Sequence, residues 1–312
     1  MKLKDNKDKI LLKLNKKYLE LRDSKDKEIE KKYERYFEKV LKKMEPELTK
    51  ALQLCDREQE YNKTSQLTNH IWVMWWQGIE NAPSLVKNNI LKMKRIFGKK
   101  LHILTSENWK EYCEISKNIQ KKFSDGKISL AALSDIIRCN VLKEYGGLWI
   151  DSTVILSKKF EKMILKYDNA PFFSLCTDKD YHYISKGRWV VWFIGGKANY
   201  PLFKFGSLFY SIWFEQHDSL IDYYTIDDMI AYFYKNTKFK EDIEKYTYKT
   251  DPYLLSRNMK NRFSDILIKK FNQVEEYSVQ KFTYKYDSKV LTNKDSLLYY
   301  IIENMDDGIN EE

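Results

Sequence analysis

The chain has 312 residues, of which 43% are hydrophobic and 32% charged, with 10 glycines and 5 prolines. That composition excludes a collagenous or linker-rich protein and predicts one large or two modest globular domains. The net charge is +10, dispersed along the chain, since residues 1–60 hold only 18 basic against 14 acidic residues; this fits a phosphorylated substrate or an acidic membrane face better than a nucleic acid, for which no basic block or binding motif is present.

Residues 1–60 predict a long helix. Apolar positions recur at three- and four-residue steps, at Ile10, Leu14, Tyr18 and Leu21, then Ile29, Tyr33, Phe37, Val40 and Met44, with Lys and Glu between them. Pro46 is expected to stop or restart it. The helix is expected to pack on the rest of the protein or on another copy; a helix lying on an anionic membrane is the alternative. Residues 1–60 are therefore assigned as an N-terminal helical extension and 61–312 as the main domain.

From His70 the pattern alternates between strand and helix. His70-Ile71-Trp72-Val73-Met74-Trp75-Trp76 reads as a buried strand. Pro83 opens a helix with Val86, Ile90, Met93 and Phe97 on one face, ended by Gly98. Leu101 to Thr105 is a second strand, followed by a short helix over Asn108 to Glu114. Ser129 caps a helix that runs to Tyr145 and stops at Gly146-Gly147, and Leu148-Trp149-Ile150 is a third strand ending at Asp151. This order predicts an α/β fold with a parallel sheet. Beyond it, Phe172 to Leu175 and Trp189 to Phe193 read as strands, Tyr200 to Gln216 and Ile226 to Tyr234 as helices, and Phe282 to Tyr286 as a late strand or ordered tail.

Several sites are absent from the sequence. There is no dinucleotide fingerprint, P-loop or Gly-x-Ser-x-Gly elbow. His70, His102, His182 and His217 form no His-x-x-x-His pair, and Cys55, Cys113, Cys139 and Cys176 form no Cys-x-x-Cys pair. No apolar run is long enough to cross a bilayer, and no apolar stretch of a signal peptide follows the first lysines. The expected location is the cytoplasm, with peripheral attachment to the inner membrane face allowed.

The informative block is Ser129 to Thr153. Asp135 and Arg138 are three apart on a helix and share a face. Asp151 ends an apolar strand, at the edge where open α/β sheets bind ligands. The helix, the Gly-Gly turn and the strand are thus able to bring Asp135, Arg138 and Asp151 to one cleft; a surface ion pair and a turn-forming Asp151 are the alternative.

Ser134-Asp135-x-x-Arg138 followed by Tyr145-Gly146-Gly147-Leu148-Trp149-Ile150-Asp151 resembles the core of capsular-polysaccharide-synthesis glycosyltransferases, a core shared with the large clostridial glucosylating toxins. Ile71 to Gly78 with Ala82-Pro83, and the late Lys281-Phe282-Thr283-Tyr284-Lys285, are also similar to the capsular branch. The resemblance covers about Asn69 to Lys285. It implies a GT-A-type, Rossmann-like fold with a mostly parallel sheet flanked by helices. It implies a hexosyltransferase that moves a sugar from a nucleotide sugar, a UDP-sugar in the first instance, to a saccharide acceptor, free or lipid-linked, with retention. By the same resemblance Trp75 stacks on the nucleobase, with Trp72 or Trp76 as alternatives. Ser134, Asp135 and Arg138 hold the donor. Asp151 matches the first acid of an Asp-x-Asp motif that binds Mn²⁺ or Mg²⁺ at the leaving diphosphate. The second acid is replaced by Thr153, so Lys281, Lys285 or Arg188 is a candidate for the missing positive charge. The rival readings are an inactive nucleotide-sugar or carbohydrate binder and a toxin-like enzyme that glycosylates a protein.

Overall fold

A computed structural model describes residues 27–55, 64–177, 184–286, 290 and 292–304. Ile10, Leu14, Tyr18, Leu21 and the boundary between 60 and 61 lie outside the described residues. Helix α1, Lys27–Leu54, continues through Pro46 instead of stopping there. An interior proline costs roughly 3 kcal/mol, and tertiary packing on both sides of it outweighs that. Val40 and Met44 before it, and Leu48, Ala51 and Leu52 after it, are all buried in one large apolar cluster.

The next segment follows the expected alternation. It comprises β1 (Ile71–Met74), α2 (Ser84–Phe97), β2 (Leu101–Leu104), α3 (Lys117–Ser124), α4 (Leu130–Glu144) and β3 (Gly147–Ile150). Strand β1 pairs in parallel with both β2 and β3. The Ser129 hydroxyl accepts from the Ala132 N–H and so caps α4. After α4 the chain turns at Gly146 and Gly147, with φ of 67° and 95°. A Cβ on Gly147 would run into the His70 carbonyl oxygen, so the tight approach of β3 to β1 requires a glycine there. Between Asn108 and Glu114 the structure has a 3₁₀ turn, Trp109–Glu111, in place of the expected helix.

The remaining elements are β4 (Val154–Leu156), α5 (Lys158–Leu165), β5 (Phe172–Cys176), β6 (Phe193–Gly196), α6 (Pro201–Gln216), α7 (Thr225–Asn236), α8 (Phe239–Tyr246), β7 (Thr247–Lys249), α9 (Leu254–Arg257), α10 (Asp265–Gln273), β8 (Val279–Lys281) and α11 (Leu297–Asn304). Two expected strands are displaced. The one read at Trp189 to Phe193 lies instead at Phe193–Gly196, because Gly195 and Gly196 fit where β6 passes close to β3 and β5 and no side chain has room. The late strand ends at Lys281 rather than beginning at Phe282; Phe282 is buried, and residues 283–285 are exposed.

The main sheet has six strands in the order β2-β1-β3-β6-β5-β7, and only β6 runs against the others. This is the mostly parallel, helix-flanked sheet expected for a GT-A-type fold. Side chains alternate between two cores. Trp72, Trp149, Phe172 and Ile194 face the cluster shared with α1, α4, α6 and α7, while Ile71, Val73, Leu148, Ile150 and Phe173 face α2 and α5. A third, smaller cluster joins α2 to α9, α10 and α11. Outside the main sheet, β4 and β8 form an antiparallel ribbon in which Val154 pairs with Lys281. That ribbon brings the late chain back beside Asp151.

Candidate active site

Strands β1 and β3 run side by side, with Trp72 next to Trp149. Trp75 and Asp151 therefore leave the sheet at the same carboxyl edge, where α/β sheets present their ligand crevice. Helix α4 packs behind that edge. The Arg138 guanidinium donates to Asp135 Oδ1 at 2.6 Å and to Asp151 Oδ1 at 3.4 Å, and lies 4.8 Å from the centre of the Trp149 ring. Trp149 Nε1 donates to the same Asp151 oxygen at 2.9 Å. Asp135, Arg138 and Asp151, which sequence spacing alone left as a cleft or a surface pair, are thus one partly buried cluster.

Lys281 completes it. Its ammonium donates to Asp151 Oδ2 at 2.7 Å and to Thr153 Oγ1 at 2.8 Å, and lies 5.4 Å from the centre of the Trp192 ring. The backbone fixes this placement from two sides: the Lys281 N–H donates to the Pro252 carbonyl, and the Phe282 N–H to the Thr153 carbonyl. The Lys281 and Asp151 side chains keep 19% and 29% of their surface exposed, so the pair is open to a ligand.

The two acids differ in character. Burial pushes Asp135 up to about 6, against the charge of Arg138, with Asp151 adding to the rise. Burial also opposes the charged form of Asp151, but the charges of Lys281 and Arg138, with hydrogen bonds from Lys281 and Trp149, hold its carboxyl below the usual range. A third acid lies behind them. Asp227, on α7, accepts from Trp189 Nε1 at 2.9 Å, and burial pushes it up to about 7, with the Asp135 charge contributing.

The other expected residues are distributed around this centre. Trp75 is half-buried and meets the Tyr284 ring edge-on at 5.2 Å. Trp72 is fully buried, with Nε1 bound to the Gly146 carbonyl, and Trp76 packs against Trp109 and Phe123. Trp75 and Trp76 are both half-buried, and of the two it is Trp75 that meets Tyr284 from the Lys281 segment. Ser134 precedes Asp135 on α4 and is half-buried, and none of the hydrogen bonds just described uses it. Lys285 is exposed, its ammonium 5.6 Å from the centre of the Tyr284 ring, at the rim beyond Trp75 rather than on the acids. Arg188 lies over the Trp189 and Tyr234 rings and makes none of the hydrogen bonds to Asp151 described above. Sequence reasoning missed Trp192 and Asp227 as neighbours of the site. Neither carries a local motif, because each arrives from a separate part of the chain; Tyr284 lies in the quoted Lys281–Lys285 segment, but its contact with Trp75 does not show in the sequence.

The Mn²⁺ or Mg²⁺ implied by the resemblance does not fit these residues. Both Asp151 oxygens and the Thr153 hydroxyl already accept from cationic or indole donors. Two acids, Asp135 and Asp151, are balanced by two cations, Arg138 and Lys281, which leaves no surplus negative charge. A divalent ion on Asp151 and Thr153 would have to displace the Lys281 ammonium from both of its acceptors. Among the described residues no group of three or more His, Cys, Asp or Glu side chains is arranged to hold a metal.

Among the described residues no helix is long and apolar enough to cross a membrane. No curated protein and no solved structure matches the chain. The family model of the capsular polysaccharide synthesis protein matches residues 21–301, a span that takes in α1, the sheet and the β4–β8 ribbon. The chain belongs to the capsular polysaccharide synthesis protein family.

Proposed function

We propose that the protein is a glycosyltransferase that moves a hexose from a nucleoside-diphosphate sugar, UDP-hexose in the first instance, to a saccharide acceptor in capsular or surface polysaccharide synthesis. The observation that carries this reading is the Asp135–Arg138–Asp151–Lys281 cluster at the carboxyl edge of β3, with Trp75 on the neighbouring strand's exit. Family membership supports the pathway, and the cluster supports the chemistry.

The bond broken joins the anomeric carbon to a diphosphate oxygen, and its electron pair leaves with the diphosphate. The new bond forms to an acceptor hydroxyl oxygen, whose proton passes to the departing diphosphate. Charge therefore grows on the leaving group, and a preorganised cation beside it lowers the barrier. Lys281 is placed for that part. Arg138 holds Asp135 and Asp151 in one orientation, and the Asp135 carboxylate is placed to bind hydroxyls of the donor sugar. Trp75 offers an indole face to the base. Retention is the stereochemical outcome implied by the resemblance.

A panel of nucleotide sugars tests the reading, with thermal shift and slow donor hydrolysis as readouts. One class of donor should stabilise the protein and be hydrolysed. Trp75→Ala should weaken binding of that nucleotide by about 1–3 kcal/mol with the fold retained by circular dichroism. The absence of stabilisation and hydrolysis with every donor would sink the proposal, and binding without hydrolysis would favour an inactive nucleotide-sugar binder.

A further inference from the structure

We propose that the Lys281 ammonium is the cation of this site and that donor diphosphate binds without a divalent metal, an inference that rests on the glycosyltransferase reading above. The position after Asp151 and Ser152, which holds an acid in an Asp-x-Asp motif, is Thr153 here, and its hydroxyl is a neutral acceptor for Lys281. Asp151 Oδ2 and Thr153 Oγ1 together hold the ammonium, as the two acids of such a motif would hold a metal ion.

Three features make this a built arrangement. The residue is fixed by backbone on both sides, through the Pro252 carbonyl and the pairing of β8 with β4. The neighbouring Gln280 is fully buried; its amide donates to the Asp251 carbonyl and its side-chain oxygen accepts from the Leu255 N–H, so the strand cannot slide. The ammonium has three N–H donors, and two are used by Asp151 and Thr153. The third is left for a phosphate oxygen, and the side chain is 19% exposed. The Trp192 face adds a cation–π contact. An incoming diphosphate is met by the third N–H of an ammonium that the fold already holds in place, a donor that needs no loading.

The test is calorimetric titration of UDP, GDP and ADP into the full chain, once with a chelator and once with Mn²⁺, repeated on Lys281→Ala and Lys281→Arg with melting temperatures recorded. The wild type is expected to bind its preferred diphosphate with the same affinity in chelator and in Mn²⁺, within about twofold. Lys281→Ala should bind about 10- to 100-fold more weakly in chelator, the range for losing a charge-assisted hydrogen bond. Lys281→Arg, which keeps the charge, should recover most of that loss, and it decides the matter if the alanine variant does not fold. Binding by the wild type only when Mn²⁺ is present would overturn the inference and leave the glycosyltransferase reading standing. Undiminished binding by a folded Lys281→Ala would do the same. No binding of any diphosphate in either condition would overturn both.

Discussion

Asp135 and Asp151 accept from the same guanidinium, yet their environments push them apart. Asp151 takes charge from two cations and is held ionised well below neutrality. Asp135 has Arg138 alone against near-complete burial, and rises to about 6. Two carboxyls separated in this way are able to play different parts in one reaction. The sign of the pH effect follows. If the ionised Asp135 orients the donor sugar, donor affinity is full above about pH 6 and declines as the pH falls through that value. For folding the direction is opposite: a carboxyl whose pKa is raised above its ordinary value favours the folded state at low pH, and that contribution is lost as the pH rises through about 6. We expect the affinity of the preferred nucleotide sugar, measured from pH 4.5 to 8, to show an acidic limb with a midpoint near 6. Asp135→Asn should bind more weakly above about pH 6, approach the wild type at lower pH and lack that limb. A limb retained in the variant would assign it to another group, Asp227 being the nearest in character.

Among the elements, α1 is the one whose role changes most on moving from pattern to structure. Its periodicity was visible in Tyr33, Val40 and Met44, but the pattern does not say what the apolar face covers. In the fold that face packs on α6 and α7 inside the largest core cluster. Leu48 is fully buried there, after the proline that was expected to break the helix. Leu48→Ala should therefore cost about 2–5 kcal/mol of stability, read from the shift of a denaturant midpoint. Removal of residues 1–54 should leave a chain that does not fold, although every donor motif lies beyond it. A folded, nucleotide-binding truncation would show that α1 is dispensable to the core. The strand–helix–strand unit from β1 to β3 was legible for a simple reason. Its signals are local: a capping serine, a glycine pair, and apolar runs bounded by both. The β4–β8 ribbon was not. Its strands are three residues each, and their pairing spans more than a hundred residues, so no window of sequence contains it.

At the scale of the whole molecule, the sheet supplies the edge, α4 and β3 supply the acids and the arginine, and the returning C-terminal segment supplies the lysine. The acids and Arg138 were readable as candidates because one stretch of 17 residues, from Asp135 to Asp151, holds them all. Lys281 was readable only as one of several cations; its place on Asp151 and Thr153 depends on long-range pairing. Lys285 and Arg188 looked equivalent in the sequence but meet the rings of Tyr284 and Trp189 instead. The central claim is that this cluster is where the donor bond breaks. Single-turnover cleavage of the preferred nucleotide sugar by wild type and Asp151→Asn, beside the melting temperature of each, tests it most directly. Asparagine keeps the size and one acceptor oxygen but removes the charge that orients Lys281 and Arg138. The account predicts a loss of about 100-fold or more in the cleavage rate, with the variant still folded. Wild-type cleavage by Asp151→Asn would contradict it and move the reaction away from this edge of the sheet.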